Sequence, residues 1–504
     1  MIVCRLFFIF VVFIQTCLSS NETHYTAAVI EYNFSNSNSN QNQTSEDRTN
    51  EIINDFVNLI ASESSKSFDI IVLPESVITN GIRTRQDLID LSPLIATGNN
   101  PCNNPKLFPD YYRTLSCSAA NFNTYIVANV VEKSLCEREP CASDGYDLYN
   151  TNVVFDRAGI VAARYRKFHL FGEYQKNVTE EVDLTTFKTD FGINFGTFIC
   201  FDILFEEPSL WLTRNGTKHL AFPSMWFSEA PFLTALQVQN MFAVTTNSVL
   251  LASGANYPAI GSGGSGFYIG IEGPKNIGIV SEDGNKIFIA DLPKDLNGNF
   301  PRNTQNNQRK KSVEEIDQVA KSLDGFYLKR DQLDVYTTHL ITENINSTYC
   351  HEDFCCKFIV EFTKTGNSLK SYYYRIFIYS GVRTFDGVYN GGVEVCAVSF
   401  CSDTSLESCG RRIIPYEDIE WNLIFKSIEI TGSFDDSKRK QQYPNSLLSD
   451  LEPLETVEYA WERSDEANLL SNGKIERKIK LLSSQERLLT FGIYGRDFTR
   501  DSAP

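Results

Sequence analysis

The chain has 504 residues, which is longer than one ordinary domain, so two or three domains are expected. Its net charge of −17 comes from acidic residues spread along the chain, and this disfavours nucleic acid as a partner. Hydrophobic residues make up 42% and aromatic residues 12%, so most of the chain is predicted to be globular.

The first 20 residues have the pattern of a secretory signal peptide. Arg5 precedes an apolar run from Leu6 to Ile14, and small or polar residues follow up to Ser20. This run is shorter than the about 20 apolar residues that span a membrane. The C-terminal residues 496–504 are polar and lack the hydrophobic tail of a lipid-anchor signal. We therefore expect a secreted, extracellular protein without a membrane anchor.

Short strands alternate with helices over the next part of the chain, residues 21–292. Apolar side chains recur at helical spacing between Ile52 and Ile60, and residues 147–164 form a predicted hairpin that turns at 156–159. Further helices are predicted at residues 202–212 and 229–246, and strands at 26–32, 68–73, 124–131, 195–199, 218–222, 247–252 and 267–271. This alternation is typical of an α/β layered domain.

The composition changes after Ala290. Residues 293–311 are rich in Asn, Gln, Pro and basic side chains without an apolar period, and we assign 293–324 to a linker. From residue 325 to 504 the sequence is strand-like and aromatic, with strands predicted at 371–379, 393–400 and 421–430. A second, β-rich domain is predicted there.

The cysteine count points to one free thiol. Two of the 13 cysteines lie in the signal peptide, and an odd number in an exported protein suggests an unpaired cysteine. Four cysteines cluster between residues 102 and 141 and six between 350 and 409, so each cluster can close on itself and leaves Cys200 alone. A metal site at 350–356 is the alternative to disulfides there, and the exported context favours disulfides. The pairing within each cluster stays open.

Six Asn-x-Ser/Thr sequons are compatible with N-glycosylation of an exported protein. They are Asn21, Asn33, Asn42, Asn177, Asn215 and Asn346.

Three reactive or charged side chains stand at the ends of predicted strands. Glu75 follows the strand 68–73, Lys167 follows the hairpin, and Cys200 ends the strand 195–199 just before the helix predicted at 202–212. Helix-start N–H groups favour a thiolate, and sites in open α/β layers assemble from strand ends. A Glu, a Lys and a Cys together suit the hydrolysis of an amide. Taken singly, each has a structural alternative: a helix cap, a solvated face, and a core or disulfide cysteine, respectively.

The motifs around these residues resemble those of the nitrilase superfamily, and more closely those of its vanin and biotinidase branch. The likeness runs in order from about residue 26 to 290, and the β-rich C-terminal part also fits that branch. The matching stretches are Leu73-Pro-Glu75, Tyr125-Ile-Val-Ala-Asn129, Tyr149-Asn-Thr-Asn-Val-Val-Phe-Asp156, Tyr165-Arg-Lys167-Phe-His-Leu-Phe171, Cys200-Phe-Asp-Ile-Leu-Phe205, Phe222-Pro-Ser-Met-Trp226 and Gly264-Ser-Gly266.

The resemblance implies a nitrilase-like α-β-β-α sandwich and a role for each residue. Cys200 would attack the amide carbonyl and form a thioester, and Glu75 would be the general base. Lys167 would stabilise the oxyanion together with the backbone N–H that follows Cys200. Glu173 would be an auxiliary carboxylate beside the lysine. His169 is interpreted as a structural or pocket residue rather than the base.

The resemblance further implies a small-molecule amide as substrate, and neither a cofactor nor a metal. Pantetheine hydrolysis to pantothenate and cysteamine is the first expectation, and hydrolysis of biotinyl amides is the alternative. A papain-like protease would need a histidine partner and different surroundings of Cys200. An inactive secreted glycoprotein of the same fold is a third hypothesis. The glycine-rich run 261–266 lacks the Gly-Lys-Ser/Thr ending of a phosphate loop. The oligomeric state is not predicted.

Overall fold

The computed structural model describes residues 23–34, 43–63, 65–80, 82, 84–137, 139–281, 284–296, 310–366, 370–462 and 473–502. The predicted signal peptide (1–20) and the sequons at Asn21 and Asn42 lie outside these described residues. Within the described ranges, no helix combines the length and the apolar character that a membrane crossing requires.

Twelve strands of the N-terminal part form one continuous sheet in the order β5-β4-β3-β2-β1-β10-β8-β7-β6, with β13 on β1, β11 on β10 and β12 on β11. With β9, which lies outside this sheet, the N-terminal part has thirteen strands: β1 (His24–Asn33), β2 (Ile70–Val72), β3 (Tyr125–Leu135), β4 (Tyr146–Phe155), β5 (Val161–Arg166), β6 (Thr186–Lys188), β7 (Asn194–Thr197), β8 (His219–Ser224), β9 (Glu229–Ala230), β10 (Val249–Asn256), β11 (Ser265–Ile269), β12 (Gly273–Gly278) and β13 (Lys286–Pro293). Strand β9 stands apart and pairs with a strand of the C-terminal part.

The sheet has two halves that face each other. β1 and β10 are joined in parallel only at Tyr32–Ala255 and Asn33–Asn256. Away from this junction, Val29 and Val72 from one half share a buried core with Leu251 from the other. Two layers of sheet therefore enclose one hydrophobic core, as two packed sheet faces require.

Helices cover the outer faces of both halves. The helices of the N-terminal part are α1 (Ser45–Ser62), α2 (Arg85–Leu91), α3 (Asp110–Asn121), α4 (Trp211–Arg214) and α5 (Ala235–Thr246), and α6 (Val313–Ser322) belongs to the C-terminal part. α1 and α3 pack on the half that contains β1 to β5, and α5 packs on the half that contains β10. The layers run α-β-β-α, which confirms the predicted nitrilase-like fold.

Two predicted helices are wrong in extent, and a proline explains each error. The stretch predicted as a helix at 202–212 is a 3₁₀ turn at Cys200–Leu204, a kinked turn at Glu206–Leu210 and the short helix α4. Glu207 is extended (φ −104°, ψ 141°) because Pro208 disfavours helical backbone in the residue before it. Pro231 likewise interrupts 229–246, so α5 begins only at Ala235, after the capping residue Thr234.

The C-terminal part is a sandwich of two five-stranded sheets, β15-β18-β19-β24-β21 and β16-β17-β20-β23-β22. Its strands are β14 (Lys329–Arg330), β15 (Thr337–Leu340), β16 (Ile345–His351), β17 (Phe354–Lys364), β18 (Tyr373–Phe385), β19 (Tyr389–Cys401), β20 (Leu423–Asp435), β21 (Lys440–Leu448), β22 (Tyr459–Glu462), β23 (Lys474–Leu481) and β24 (Leu488–Asp497). Phe358 and Ile430 from one sheet meet Ile376 and Phe491 from the other in a single core. The predicted β-rich second domain is confirmed.

The segment assigned to a linker, 293–324, contains a helix. Strand β13 extends to Pro293, and α6 occupies Val313–Ser322 after the capping residue Ser312. Ile316 and Ala320 of α6 are buried in the core of the C-terminal sandwich. The helix escaped prediction because its short apolar face follows a polar stretch.

The two parts of the molecule share a second hydrophobic core. The sheet that contains β18 and β19 turns its outer face towards α5, and Val238 and Met241 pack there with Phe377 and Tyr494. Polar contacts cross the same boundary: the side-chain amide of Gln237 donates to the Asn445 oxygen at 2.8 Å. Strand β9 pairs in parallel with β14 beside this core. The C-terminal sandwich is thus packed directly on the α5 layer.

Ten cysteines form five disulfides, each within one of the two predicted clusters. The pairs are Cys102–Cys117, Cys136–Cys141, Cys350–Cys355, Cys356–Cys396 and Cys401–Cys409. Among the cysteines in the described part of the chain, Cys200 is the free one, and it is buried.

Candidate active site

Cys200 lies on a sharp turn between β7 and the 3₁₀ turn that follows. Its φ of +47° is in the left-handed region, which an L-residue occupies only when its surroundings hold it there. Asp202 stabilises this turn. Its fully buried carboxylate accepts a hydrogen bond from the Ile199 amide at 3.0 Å and another from the Tyr165 hydroxyl at 2.7 Å. The turn therefore presents the thiol at the carboxyl edge of the sheet in a fixed geometry.

Lys167 is held between two carboxylates. Its Nζ lies 2.8 Å from Glu75 Oε1 and 2.9 Å from Glu173 Oε2, and both Lys167 and Glu75 are 2% exposed. Burial favours the neutral amine, but the charges of Glu173 and Glu75 outweigh it and raise the pKa of Lys167 well above its ordinary value. The ammonium is therefore retained.

Glu173 stays ionised under the same influence. Burial opposes its charge, but Lys167 and Lys176 lower the pKa of Glu173 to about 2. Asn150 completes the arrangement, since its side-chain amide donates to Glu75 at 2.8 Å and to Glu173 at 2.5 Å. One buried amide thus fixes both carboxylates that flank the ammonium.

Met225 joins the thiol to Glu75 through its main chain. Its N–H donates to Glu75 Oε2 at 2.8 Å, and its carbonyl accepts from Cys200 Sγ at 3.6 Å. Burial raises the pKa of the Cys200 thiol, Glu75 raises it further, and Lys167 opposes both. The net shift is upwards, so the resting thiol is protonated and needs a base to become a nucleophile.

The structure therefore brings together all four residues that the sequence singled out as a catalytic set, Glu75, Lys167, Cys200 and Glu173. It adds Asn150 and Met225, which the sequence analysis did not select although both lie in stretches quoted for the resemblance. Asn150 could have been suspected as a polar residue in a buried strand, whereas Met225 acts through main-chain atoms that leave no side-chain signature.

His169 is a structural residue next to this set. Its Nδ1 lies 3.1 Å from Asp202, and its ring stacks on Phe205 with 3.7 Å between centroids. Within the described residues, the hydrogen-bond and electrostatic partners of the Cys200 thiol do not include a histidine. A thiol-imidazole pair of the papain kind is absent from this described region.

A pocket opens beside the Cys200 thiol. Most of its wall is apolar and aromatic, and a smaller part is acidic. The apolar lining includes Phe171, Phe201, Leu204, Trp226, Phe227 and Phe385, and the acidic lining consists of Glu229 and Asp386. Phe385 and Asp386 belong to the C-terminal sandwich, so both parts of the molecule build the pocket.

Four of the sequons lie in the described part of the chain, and they differ in exposure. Asn177, Asn215 and Asn346 are exposed. Asn33 is only 6% exposed at the end of β1, and a glycan on a buried amide has no room there. The structure therefore disfavours Asn33 as a glycosylation site.

Comparison with known proteins gives matches along nearly the whole chain. The carbon-nitrogen hydrolase family model matches residues 27–245, and the vanin C-terminal domain model matches 326–501. Vanin-like protein 1 of Drosophila melanogaster is 35% identical over 97% of this chain and 88% of its own length. Human biotinidase is 28% identical over 95% and 90%, respectively, and bovine pantetheinase is 29% identical over 99% and 94%. Among solved structures, Saccharomyces cerevisiae Nit3 of the nitrilase superfamily aligns with 56% of this chain and 96% of its own at 19% identity and a TM-score of 0.42.

The fold, the pocket and the match to the carbon-nitrogen hydrolase family model establish the class of this protein. It is an amidohydrolase that acts on carbon-nitrogen bonds other than peptide bonds. The full-length relatives then give the family. The chain belongs to the vanin-like family of the nitrilase superfamily.

Proposed function

We propose that the protein hydrolyses a linear amide through a thioester on Cys200, with Glu75 as general base and acid and Lys167 as oxyanion donor. The observation that carries the proposal is the joint placement of a free buried thiol, a retained ammonium and a carboxylate linked to both. Lys167 contacts Glu75 directly, and Met225 connects Glu75 to the thiol.

The proposed reaction uses these groups in order. Glu75 takes the Cys200 proton, and sulfur bonds to the carbonyl carbon. The carbonyl oxygen becomes negative and accepts hydrogen bonds from Lys167 and the Phe201 N–H. The carbon-nitrogen bond then breaks as Glu75 gives its proton to the leaving amine. In the second half Glu75 takes a proton from water, hydroxide attacks the thioester, and the carbon-sulfur bond breaks. Glu75 then returns the proton it took from water to the sulfur, so both groups regain their starting states.

Pantetheine is the proposed substrate, with pantothenate and cysteamine as products. Relatives named pantetheinase cover nearly the full chain, and the pocket wall suits an acyl group with apolar surface. Biotinyl amides are the second candidate, because biotinidases match over a similar length. An inactive protein of this fold is the remaining alternative, and the complete set of contacts around Lys167 argues against it.

The test is product formation from each substrate by purified protein, measured as pantothenate or biotin by mass spectrometry. We expect turnover of one of them by the wild type, none by Cys200→Ala, and an acyl adduct on the peptide containing Cys200 after brief exposure. His169→Asn serves as the control for a histidine-dependent mechanism and should retain the acyl adduct. No turnover of pantetheine, biocytin or simple amides would contradict the proposal.

We further propose that the protein is secreted and glycosylated. Five disulfides need an oxidising compartment, and Asn177, Asn215 and Asn346 are exposed sequons. Expressed in cultured eukaryotic cells, the full chain should be recovered from the medium and lose mass on treatment with a peptide N-glycosidase. Retention of the whole product inside the cells would contradict this.

A further inference from the structure

One wall of the pocket at Cys200 comes from the C-terminal sandwich. The turn that links β18 to β19 places Phe385 and Asp386 on the pocket beside the aromatic residues of the N-terminal part. Asp386 has a φ of 57°, as tight-turn residues do, and its carboxylate pairs with Lys329. A surface turn of one domain thus reaches the reaction centre of the other.

The same β18 strand fixes the second acidic residue of the pocket. Arg383 is buried, and its guanidinium lies 2.6 Å from Glu229 Oε1 and 2.9 Å from Asp331 Oδ2. Its charged group also lies over the Phe385 ring, 4.7 Å from the centroid. Glu229 is therefore held in place by the C-terminal sandwich although it belongs to β9 of the N-terminal part.

The ionic balance at this wall is negative when Glu229 is ionised. Three carboxylates (Glu229, Asp331 and Asp386) face two cations (Arg383 and Lys329), which leaves one negative charge when all are ionised. Burial raises the pKa of Glu229 to about 7, with Asp331 adding to and Arg383 opposing the shift. Near neutral pH this carboxyl can therefore either accept or donate a hydrogen bond. Lysine and arginine are missing among the described residues that line the pocket.

The pocket is lined by Cys200, so an acyl group bonded to that sulfur is expected to lie in it. In a thioester mechanism the amine must leave and water must enter before hydrolysis, whereas the acyl group stays attached to the sulfur. We propose that the β18–β19 turn determines acyl specificity: Glu229 and Asp386 favour an uncharged, mainly apolar acyl group whose far end carries hydroxyl or N–H donors, and disfavour one that ends in a carboxylate. This inference rests on the proposed amide hydrolysis.

The test compares two para-nitroanilides of equal acyl length, one of 6-hydroxyhexanoic acid and one of adipic acid, whose far ends are a hydroxyl and a carboxylate. For the wild type we expect kcat/KM to be at least about tenfold higher for the hydroxy compound, because like charges repel in a partly enclosed pocket. Asp386→Asn and Glu229→Gln should lower the ratio of kcat/KM for the hydroxy compound to kcat/KM for the carboxylate compound. Asp386→Lys should lower this ratio most. Asp353→Lys, an exposed acid in the turn between β16 and β17, is the matched control and should keep the wild-type ratio.

A second measurement separates this inference from the proposed function. Alkylation of Cys200 by neutral iodoacetamide and by anionic iodoacetate reports on the pocket charge without any amide turnover. The ratio of the iodoacetamide rate to the iodoacetate rate should be lower in Asp386→Lys than in the wild type. Anilide turnover with an unchanged acyl preference in Asp386→Lys and Glu229→Gln would overturn the inference alone. A shifted alkylation ratio without turnover of the anilides, pantetheine, biocytin or simple amides would overturn the proposed function and leave the charge-selective wall standing. Equal alkylation ratios in the wild type and in all folded variants would contradict charge selection by this wall.

Discussion

The charge on Lys167 is maintained by its neighbours, and that charge is what an oxyanion donor must supply. Replacing it by methionine keeps the length of the side chain and removes the ammonium between Glu75 and Glu173. We expect Lys167→Met to lower kcat by about 100- to 1,000-fold, the usual effect of losing one oxyanion donor. Steady-state kinetics on the active substrate gives the measurement.

Because Lys167→Met also leaves two carboxylates without their cation, folding must be checked in the same preparation. A variant with the wild-type circular dichroism spectrum and near wild-type kcat would contradict the assigned role. Lys167→Arg is the matched control: it keeps the charge but changes the geometry, and we expect it to fall between methionine and wild type.

Glu173 acts on Lys167 rather than on the thiol. Glu173→Gln retains the shape and removes one of the two negative charges beside the ammonium. A charge-assisted hydrogen bond is worth about 1.5–3 kcal/mol, so we expect kcat to fall by about 10- to 100-fold while KM stays similar. Glu181→Gln, an exposed acid in the same loop, serves as the control. A pure KM effect in Glu173→Gln would show that Glu173 binds substrate instead.

The sequence was sufficient to predict the site residues that directly follow strands. It was insufficient to predict the residues that hold them in position. Glu75, Lys167 and Cys200 stand out because each charged or reactive group directly follows an apolar strand. Asn150 lies inside a strand, and its bridging of two carboxylates depends on a register that the sequence does not contain. Met225 contributes an N–H and a carbonyl, which every residue other than proline has.

Among the elements, β8 illustrates how a buried polar residue can make two facing layers of sheet sensitive to acid. His219 in β8 hydrogen-bonds to the hydroxyl of Tyr25 in β1 across the layers, at 2.9 Å. Burial lowers the pKa of His219 to about 4, with the Lys294 carbonyl and Asp295 opposing this shift. The neutral ring is therefore the form that the fold accommodates.

The expected pH dependence follows from the direction of that shift. The folded pKa of about 4 lies below the ordinary value of 6.5, so the stabilisation is present above about pH 6.5 and is lost as the pH falls through about 4. His219→Phe keeps an aromatic ring and cannot be protonated. Urea unfolding at about pH 7 and about pH 4.5 should show a smaller loss of stability in this variant than in the wild type. Equal losses in both proteins would contradict the assignment.

The elements also show where sequence patterns fail. Most strands lie where apolar and β-branched runs predicted them, because a buried strand needs only its own residues to be recognised. The helix predicted after Cys200 is broken into three pieces at Pro208, although the acid-rich start and the apolar residues suggested continuity. The thiol consequently lies on a 3₁₀ turn held by Asp202 and not at the start of a long helix.

For the whole molecule, the decisive feature is the core shared by α5 and the C-terminal sandwich. Phe232, Val238 and Met241 are almost completely buried against it. A chain reduced to residues 23–293 would expose this surface to water, and exposed apolar patches of such extent promote association. We expect the shortened chain to aggregate or to require detergent, measured by size-exclusion chromatography after refolding.

The control for this experiment is the full chain carried through the same refolding procedure. A monomeric and active 23–293 fragment would contradict the view that the two parts depend on each other. The sequence indicated two domains, but it could not show that they share a core, since both faces of that contact have ordinary amphipathic patterns. The domain boundaries themselves remain predictions.

The shared core has a consequence for the proposed secretion of this protein, because a secreted protein is exposed to extracellular proteases. Hydrophobic contacts and the Gln237–Asn445 hydrogen bond, rather than the peptide link, hold the two parts against each other. A single cut between residues 296 and 310 would therefore yield two fragments that migrate separately under denaturing conditions. Undenatured, the severed pieces should stay together as one particle, with the reaction centre still assembled.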